Sequence, residues 1–477
     1  MSALSPVRSY LVARWPILVP LLIWIPLYAS RVLIQHYSLG TNAHDLSVFD
    51  YALWSSLRGS AMYVPFYGQS LLNGHAMPAL WALLPVYGLF QSPVTLLVLQ
   101  LTFVAAASCL LWRLAVGRVS DFAVAALIAA FLFSRRSHSA IMSMFYIESL
   151  EPLLVFGMVL AATRRRWWPY WGALVLALGC KEDMALYIGA FGLVMALTTG
   201  HRKVAAATAA VAVVWFIVSL VVVLPAMRGQ DLASSGQALD IRHPLLELNY
   251  GTSDLGEIGV TAVRRIASWR MLEVLFDIGV SVIFVCFAAP VWLLPMAPGV
   301  LVSLGALPDT QLANVTGHYV FPFMPWVFIA GLKGLEVVHA RWPRRLGAVA
   351  AVLLVVVVAD WPGWHRLGGI PVEDLTRAAL VRSQLDVVPV DAPVLAQTNL
   401  IPHLPKRMDL SSIEGTVDDA RGYVLLTPMG DPWPLDLMEV EAEIRRLRED
   451  GRYELLLDGP LFVFRLEDSA SSGSGSS

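Results

Sequence analysis

The chain has 477 residues, of which 57% are hydrophobic and only 15% charged, with a formal net charge of −2. An ordinary soluble domain carries roughly a quarter charged residues, so this composition excludes one over most of the length. Without a basic excess there is also no electrostatic case for a nucleic-acid partner.

Lipid is then the expected solvent, and helices the expected spanning elements, because a helix satisfies its own backbone hydrogen bonds. Apolar runs suited to a core of about 30 Å, about eleven in number, lie at 15–34, 93–114, 120–135, 147–163, 167–180, 184–199, 204–226, 274–294, 296–308, 318–337 and 345–361. The first follows Arg8 and Arg14 and is succeeded by the bulky stretch Arg31 to His36, with no small-residue cleavage site. It is read as a retained anchor. The apolar segment from Met77 to Phe90 contains Pro78 and Pro85 and precedes Pro93; it reads as re-entrant or interfacial and is not counted. Cys109, Cys180 and Cys286 sit in apolar runs without paired or metal-ligand spacing, which makes them small buried hydrophobes.

Orientation follows from basic loops, which favour the cytoplasmic side. Arg113 and Arg118, Arg164 to Arg166, His201 to Lys203, and Arg341, Arg344 and Arg345 all agree with a cytoplasmic N-terminus. Arg135 and Arg136 run against it, and Arg264, Arg265 and Arg270 lie in a long loop where the rule is weaker. An odd number of spans sends the C-terminus outside. The expected organisation is a polytopic helical membrane domain over 1–362, with external loops at 35–92 and 228–270. A small extracytoplasmic α/β domain follows over 363–467, then a low-complexity tail over 468–477.

Ionisable residues near bilayer depth are functional candidates. The first loop carries His44, Asp45 and Asp50, with the capping of a juxtamembrane helix by Asp45 as the plain alternative, and then His75. Glu148 and Glu151 share one helical face. Lys181, Glu182 and Asp183 fill a short turn, where they form either a topological stop or a pairing network. Asp277, Asp309, His318 and Tyr319 complete the set, and Asn314 opens a weak glycosylation sequon. His403, Arg407 and Asp409 are read as surface residues. There is no phosphate-binding glycine loop, zinc-ligand spacing, serine elbow or haem signature, and no internal repeat of the kind transporters show.

Four elements carry a family resemblance. The run His44-Asp45 through Asp50-Tyr51-Ala52-Leu53-Trp54, the element Gly74-His75-Ala76-Met77-Pro78, the element Phe145-Tyr146-Ile147-Glu148 and the triplet Lys181-Glu182-Asp183 resemble the DUF2079 bacterial membrane proteins, grouped with the GT-C glycosyltransferase superfamily. Asn73 stands where the family often has Asp, and the third element lacks the family's Asp and His. The resemblance implies a GT-C-like body in the bacterial cytoplasmic membrane. That body would move a sugar from a polyprenyl-phosphate donor to a glycan, lipid or protein acceptor on the extracytoplasmic face. It implies Asp45 as general base, with Asp50, His75, Glu148, Lys181, Glu182, Asp183, His318 and Tyr319 as substrate-binding residues. Lys181, helped by Arg264, Arg265 or Arg270, would face the leaving phosphate. The carboxylates leave room for Mg²⁺ or Mn²⁺ without defining its ligands. Two rival readings use the same residues: a transporter or flippase of lipid-linked sugars, and a non-catalytic envelope scaffold.

Overall fold

The computed structural model describes residues 14–228, 249–252, 254–363, 372–417 and 422–467. Arg8, the 468–477 tail, and residues 229–248 and 253 of the expected 228–270 loop lie outside them. The chain divides into two units, one of Met1–Ala29, Leu72–Leu83 and Val98–Leu367, the other of Ser30–Leu71, Leu84–Leu97 and Gly368–Ser477.

Helix lengths sort the apolar runs. Among the described residues three helices are long and apolar enough to cross a bilayer: Trp15–Tyr37, Pro93–Ala115 and Arg202–Met227. A fourth candidate is the pair Gln311–Val320 and Met324–Arg341, bent by 85°. The remaining runs form shorter helices, including Asp121–Phe133, Glu151–Thr163, Trp167–Leu178 and Met184–Thr198. At 1.5 Å per residue these reach only about 18–22 Å. The described residues are therefore mostly helical and apolar, with three to four helices of spanning length and a set of shorter ones.

The run at 274–294 departs most from expectation. Instead of one span, the helix Trp269–Val280 is followed by Ile283 and Phe284 in left-handed conformation, at φ 44° and 62°. The 3₁₀ turns Val285–Ala288 and Pro290–Met296 come next. Phe284 N–H closes back on the Gly279 carbonyl at 2.7 Å, and Pro290 and Pro295 remove donors a helix would need. Glycines on Met324–Arg341 receive this irregular segment: a Cβ on Gly331 would come within 3.0 Å of the Val282 side chain, and one on Gly334 would overlap the Val285 carbonyl. Close backbone approach through small residues is a common packing mode where lipid supplies no hydrophobic drive.

Buried polar pairs fasten other elements. Trp361 Nε1–H donates to the Tyr28 hydroxyl at 3.1 Å, and that hydroxyl lies 3.0 Å from His138 Nδ1. Gln100 donates to the Ile141 carbonyl at 2.7 Å. Each satisfies groups that would be expensive to leave bare in an apolar core.

The second unit is built on a five-stranded mixed sheet. β1 (Tyr63–Val64) and β2 (Gln69–Ser70) form a small separate hairpin. The sheet holds β3 (Val394–Gln397), β4 (Leu410–Ile413), β5 (Tyr423–Leu426), β6 (Tyr453–Leu457) and β7 (Phe462–Leu466) in the order β4-β3-β5-β7-β6. β3 pairs in parallel with β4 and β5, whereas β7 is antiparallel to β5 and β6. The helix Leu437–Glu449 begins at a capping box between Asp436 and Glu439. It buries Val440, Ile444 and Leu447 against Val424, Leu426 and Phe464. The α/β character read from the C-terminal sequence is thus present. In addition the unit includes most of the first loop, with its irregular helical segment Ala43–Ser47 and the helix Val48–Ser56.

Candidate functional site

The candidate residues fall into two clusters, one in each unit. In the first unit, the turn between Trp167–Leu178 and Met184–Thr198 carries Lys181, Glu182 and Asp183. Lys181 Nζ lies 3.2 Å from Glu148 Oε1, with both side chains buried, and 5.7 Å from the centre of the Tyr319 ring. Glu182 accepts from Ala76 N–H at 3.0 Å through one oxygen and meets His75 Nδ1 at 2.8 Å through the other. The Ala79 N–H donates to the Gly179 carbonyl at 2.8 Å alongside. Glu182 thereby clamps the 75–79 segment onto the turn. His318 stacks on Tyr146 with ring centres 3.8 Å apart and lies 4.0 Å from Tyr319. The structure thus brings together seven expected residues: His75, Glu148, Lys181, Glu182, Asp183, His318 and Tyr319.

Electrostatics divide the triplet. Burial would raise the Glu182 carboxyl, but the charge and hydrogen bond of His75, with Lys181, hold it at about 2. Asp183 is pushed up to about 6 by burial, against the pull of Lys181. Burial opposes the Lys181 charge, yet Glu148 and Asp183 outweigh it and raise the ammonium above its usual range. Opposite charges within a few ångströms favour the ionised forms, whereas desolvation favours the neutral ones. Glu151 is the outlier: it is completely buried and neither carboxylate oxygen has a hydrogen-bond partner.

The second cluster surrounds Asp45. Asn42, not Asp45, caps the Ala43–Ser47 segment: its side-chain oxygen accepts from Asp45 N–H at 3.0 Å, and its amide donates to Asp45 Oδ2 at 3.0 Å. His44 Nδ1 sits 2.8 Å from the Tyr67 hydroxyl, and Nε2 lies 3.6 Å from Glu414. Burial lowers the His44 imidazole, opposed by Glu414 and Asp45. Asp50 does something else. It is fully buried, accepts from the Tyr87 hydroxyl at 2.5 Å and is ion-paired with Lys406. Both oxygens are engaged, so Asp50 joins the first loop to the β-sheet region of its unit instead of offering a carboxylate to substrate.

Several other expectations are corrected. Arg265 donates to the Leu304 and Ala306 carbonyls, and Arg270 to Glu273, Ala313 and Asn314; both brace local backbone, while Arg264 and Asp309 are exposed. Asp277 is paired with Arg136. Arg407, read as a surface residue, is buried because its guanidinium caps the Pro389 and Ala392 carbonyls. Asp409 is exposed, as expected of a surface residue, whereas His403 is partly buried with its ring 4.4 Å from that of His36. Among the described residues no group of three or more His, Cys, Asp or Glu side chains is arranged to hold a metal ion.

One cation emerges that sequence reading did not select. Arg228 closes the Arg202–Met227 helix, and its Nε donates to the Asn73 carbonyl at 2.9 Å, two residues before His75. On the same helix, Val211, Val214, Trp215 and Val218 line an open apolar cavity of about 490 Å³, walled on the other side by Pro78, Ala79, Leu178 and Gly179. Their spacing of three and four residues is that of one helical face. The cavity therefore ends, in sequence, at the charged turn on one wall and leads along the helix toward Arg228 on another.

A family model described as "Predicted membrane protein (DUF2079)" matches residues 35–458. No curated protein matches the sequence.

Proposed function

We propose a function from the premise that this chain belongs to the DUF2079 family of predicted membrane proteins: it is a GT-C-type glycosyltransferase that uses a polyprenyl-phosphate sugar donor. The observation that carries this reading is the apolar cavity bounded by Pro78, Ala79, Gly179 and the 211–218 face, together with Arg228 on the same helix and Lys181 two residues beyond Gly179. Arg228 lies about 15 Å beyond Val218 at 1.5 Å per residue. An apolar trough with Lys181 and Arg228 both beyond the same end suits an anionic amphiphile. The tail takes the trough, and the phosphate takes Arg228, whose fork is matched to phosphate oxygens.

In this reading Asp45 accepts the proton of an acceptor hydroxyl as that oxygen attacks the anomeric carbon. The bond from that carbon to the phosphate oxygen breaks, and its electron pair leaves on the lipid phosphate. Arg228 and Lys181 stabilise the charge that develops there. His75, Glu148, Glu182 and Asp183, beside the stacked His318 and Tyr319, offer acceptors and aromatic faces to the sugar. The body spans the bacterial cytoplasmic membrane about eleven times, its shorter and broken helices protected by their neighbours. The N-terminus is cytoplasmic and the C-terminal α/β region extracytoplasmic, so the acceptor is an envelope glycan, lipid or protein.

A second reading draws on Glu151. A buried carboxyl with no hydrogen-bond partner at the start of an apolar helix is the kind of group that carries protons in transporters, and the same trough would suit a flippase of lipid-linked sugars. One experiment separates the two. Purified protein in lipid is offered a panel of radiolabelled polyprenyl-phosphate sugars, alongside a folded Asp45→Asn variant. Transfer by the wild type, reduced about 10²–10⁴-fold in the variant, supports the transferase. No product from any donor, with labelled lipid crossing sealed vesicles, would replace it with the flippase.

A further inference from the structure

Within the second unit, the rings around His44 form an arrangement that the chemistry of Asp45 does not use. Tyr67 stacks on the His44 imidazole with centres 5.6 Å apart. Trp433 stands edge-on to it at 5.2 Å, and Phe66 edge-on at 6.4 Å. The centre of this group is filled by His44 itself, whose Nδ1 lies 2.8 Å from the Tyr67 hydroxyl and whose Nε2 lies 3.6 Å from Glu414. What remains open is the rim: Trp433 is 51% exposed, Tyr67 36%, and the Glu414 side chain 57%.

The rim is positioned by backbone. The Trp433 N–H donates to Asp431 at 3.2 Å, the Asp431 N–H to the Leu39 carbonyl at 3.1 Å, and Asn399 to the Met429 carbonyl at 2.8 Å. Gly430, at φ 80°, lies so close to Leu39 that any side chain would collide with its carbonyl. Ser412 donates to Glu414 at 3.0 Å. A large aromatic side chain held half in water by its own loop is an unusual use of apolar surface, and such residues serve recognition where one face is apolar and the other wet.

The character of the ligand follows from what surrounds the rim. Asp45 and Glu414 both act electrostatically on His44 and Tyr67, so an anionic ligand would be repelled. An aromatic cage for an ammonium group needs an empty centre, and here His44 occupies it. A neutral ring with apolar C–H faces and a hydroxyl edge satisfies both halves: the faces lie on Trp433 and Tyr67, and the hydroxyls donate to carboxylate oxygens, which only accept. We infer that Trp433, Tyr67 and Glu414 form a binding site for a neutral saccharide, the acceptor side of the proposed reaction. The inference rests on the transferase reading for its purpose, not for its geometry.

The test is binding without any donor. Full-length protein in lipid nanodiscs is titrated with neutral methyl pyranosides and with cellobiose, maltose and mannobiose, followed by saturation-transfer NMR. Choline and glucuronate serve as cationic and anionic probes. The expected result is binding of at least one neutral saccharide, weakened about tenfold or more by Trp433→Ala and by Glu414→Gln, and partly kept by Trp433→Phe, which retains an aromatic face. Matched thermal unfolding of the variants separates a lost site from a lost fold. Binding of choline alone, of no neutral saccharide, or of saccharides indifferent to Trp433 and Glu414 would overturn the inference. Saccharide binding without glycosyl transfer would instead leave this site standing and remove the transferase reading.

Discussion

Replacing Lys406 by Met tests whether Asp50 is a structural anchor. In the folded unit the Asp50 carboxylate is fully buried, paired with Lys406 and hydrogen-bonded by Tyr87, while the Lys406 ammonium also sits 3.9 Å from the centre of the Tyr51 ring. Removing the ammonium leaves a buried carboxylate with one hydroxyl donor, and breaking a buried pair from one side costs about 3–5 kcal/mol. For a unit of this size each kcal/mol moves the midpoint by about 2–4 °C. The Lys406→Met variant should therefore unfold about 6–20 °C lower, measured by circular dichroism with limited proteolysis of the C-terminal region. Asp50→Asn with Lys406→Met, which removes both charges, should recover most of the loss. A fall below about 2 °C, the range of an exposed pair worth 1 kcal/mol or less, would refute the burial argument. So would a double variant as unstable as the single one.

Three further outcomes are expected. Asp183, raised to about 6 by burial against Lys181, binds its proton more tightly folded than unfolded. Its contribution is full below the ordinary value of about 3.9 and is lost as pH rises through about 6. Glu182, held at about 2 against burial by His75 and Lys181, acts in the opposite sense: its contribution is present above about 4.3 and is lost as pH falls toward 2. In midpoint-against-pH curves, Asp183→Asn should abolish the loss between pH 4 and 6, and Glu182→Gln the acid loss; unchanged curves would sink both assignments. Gly334→Ala should destabilise the first unit by about 1–3 kcal/mol, as overpacking does, because its methyl group overlaps the Val285 carbonyl. A neutral or stabilising effect in thermal unfolding would show that the close approach is not tight.

Hydropathy read the long elements well. The helices Trp15–Tyr37, Pro93–Ala115 and Arg202–Met227 end close to the runs at 15–34, 93–114 and 204–226, because a lone spanning helix is specified by composition and length. The run at 274–294 was misread for the same reason: composition is blind to the left-handed Ile283 and Phe284, although Pro290 and Pro295 were visible warnings. Lys181, Glu182 and Asp183 were legible as a group, since three charges in a turn between apolar helices are conspicuous in any window. Their partners His75 and Glu148 lie 107 and 33 residues away from Glu182 and Lys181, and only folding joins them. Asn42, three residues before Asp45, carried a readable capping signal. Arg228 was hidden by a rule that counts basic residues for orientation and overlooks the one that ends an apolar run. Trp433 and Glu414 had no local pattern to announce them, because their meaning comes from a first-loop histidine in the same unit.

The unit that joins first-loop residues to the C-terminal sheet sets a schedule for biosynthesis. Lys406 leaves the ribosome 356 residues after Asp50, which at about 5–20 residues per second is roughly 20–70 s. For that interval Asp50 and the apolar side chains around it are without the partners that later bury them, while the intervening helices are already being inserted. Among the described strands β7 comes last and lies between β5 and β6, so the sheet closes only after β7 has emerged. A nascent chain stalled before β7 would thus carry an unfinished sheet and an early loop without its mate, a substrate for chaperones and proteases.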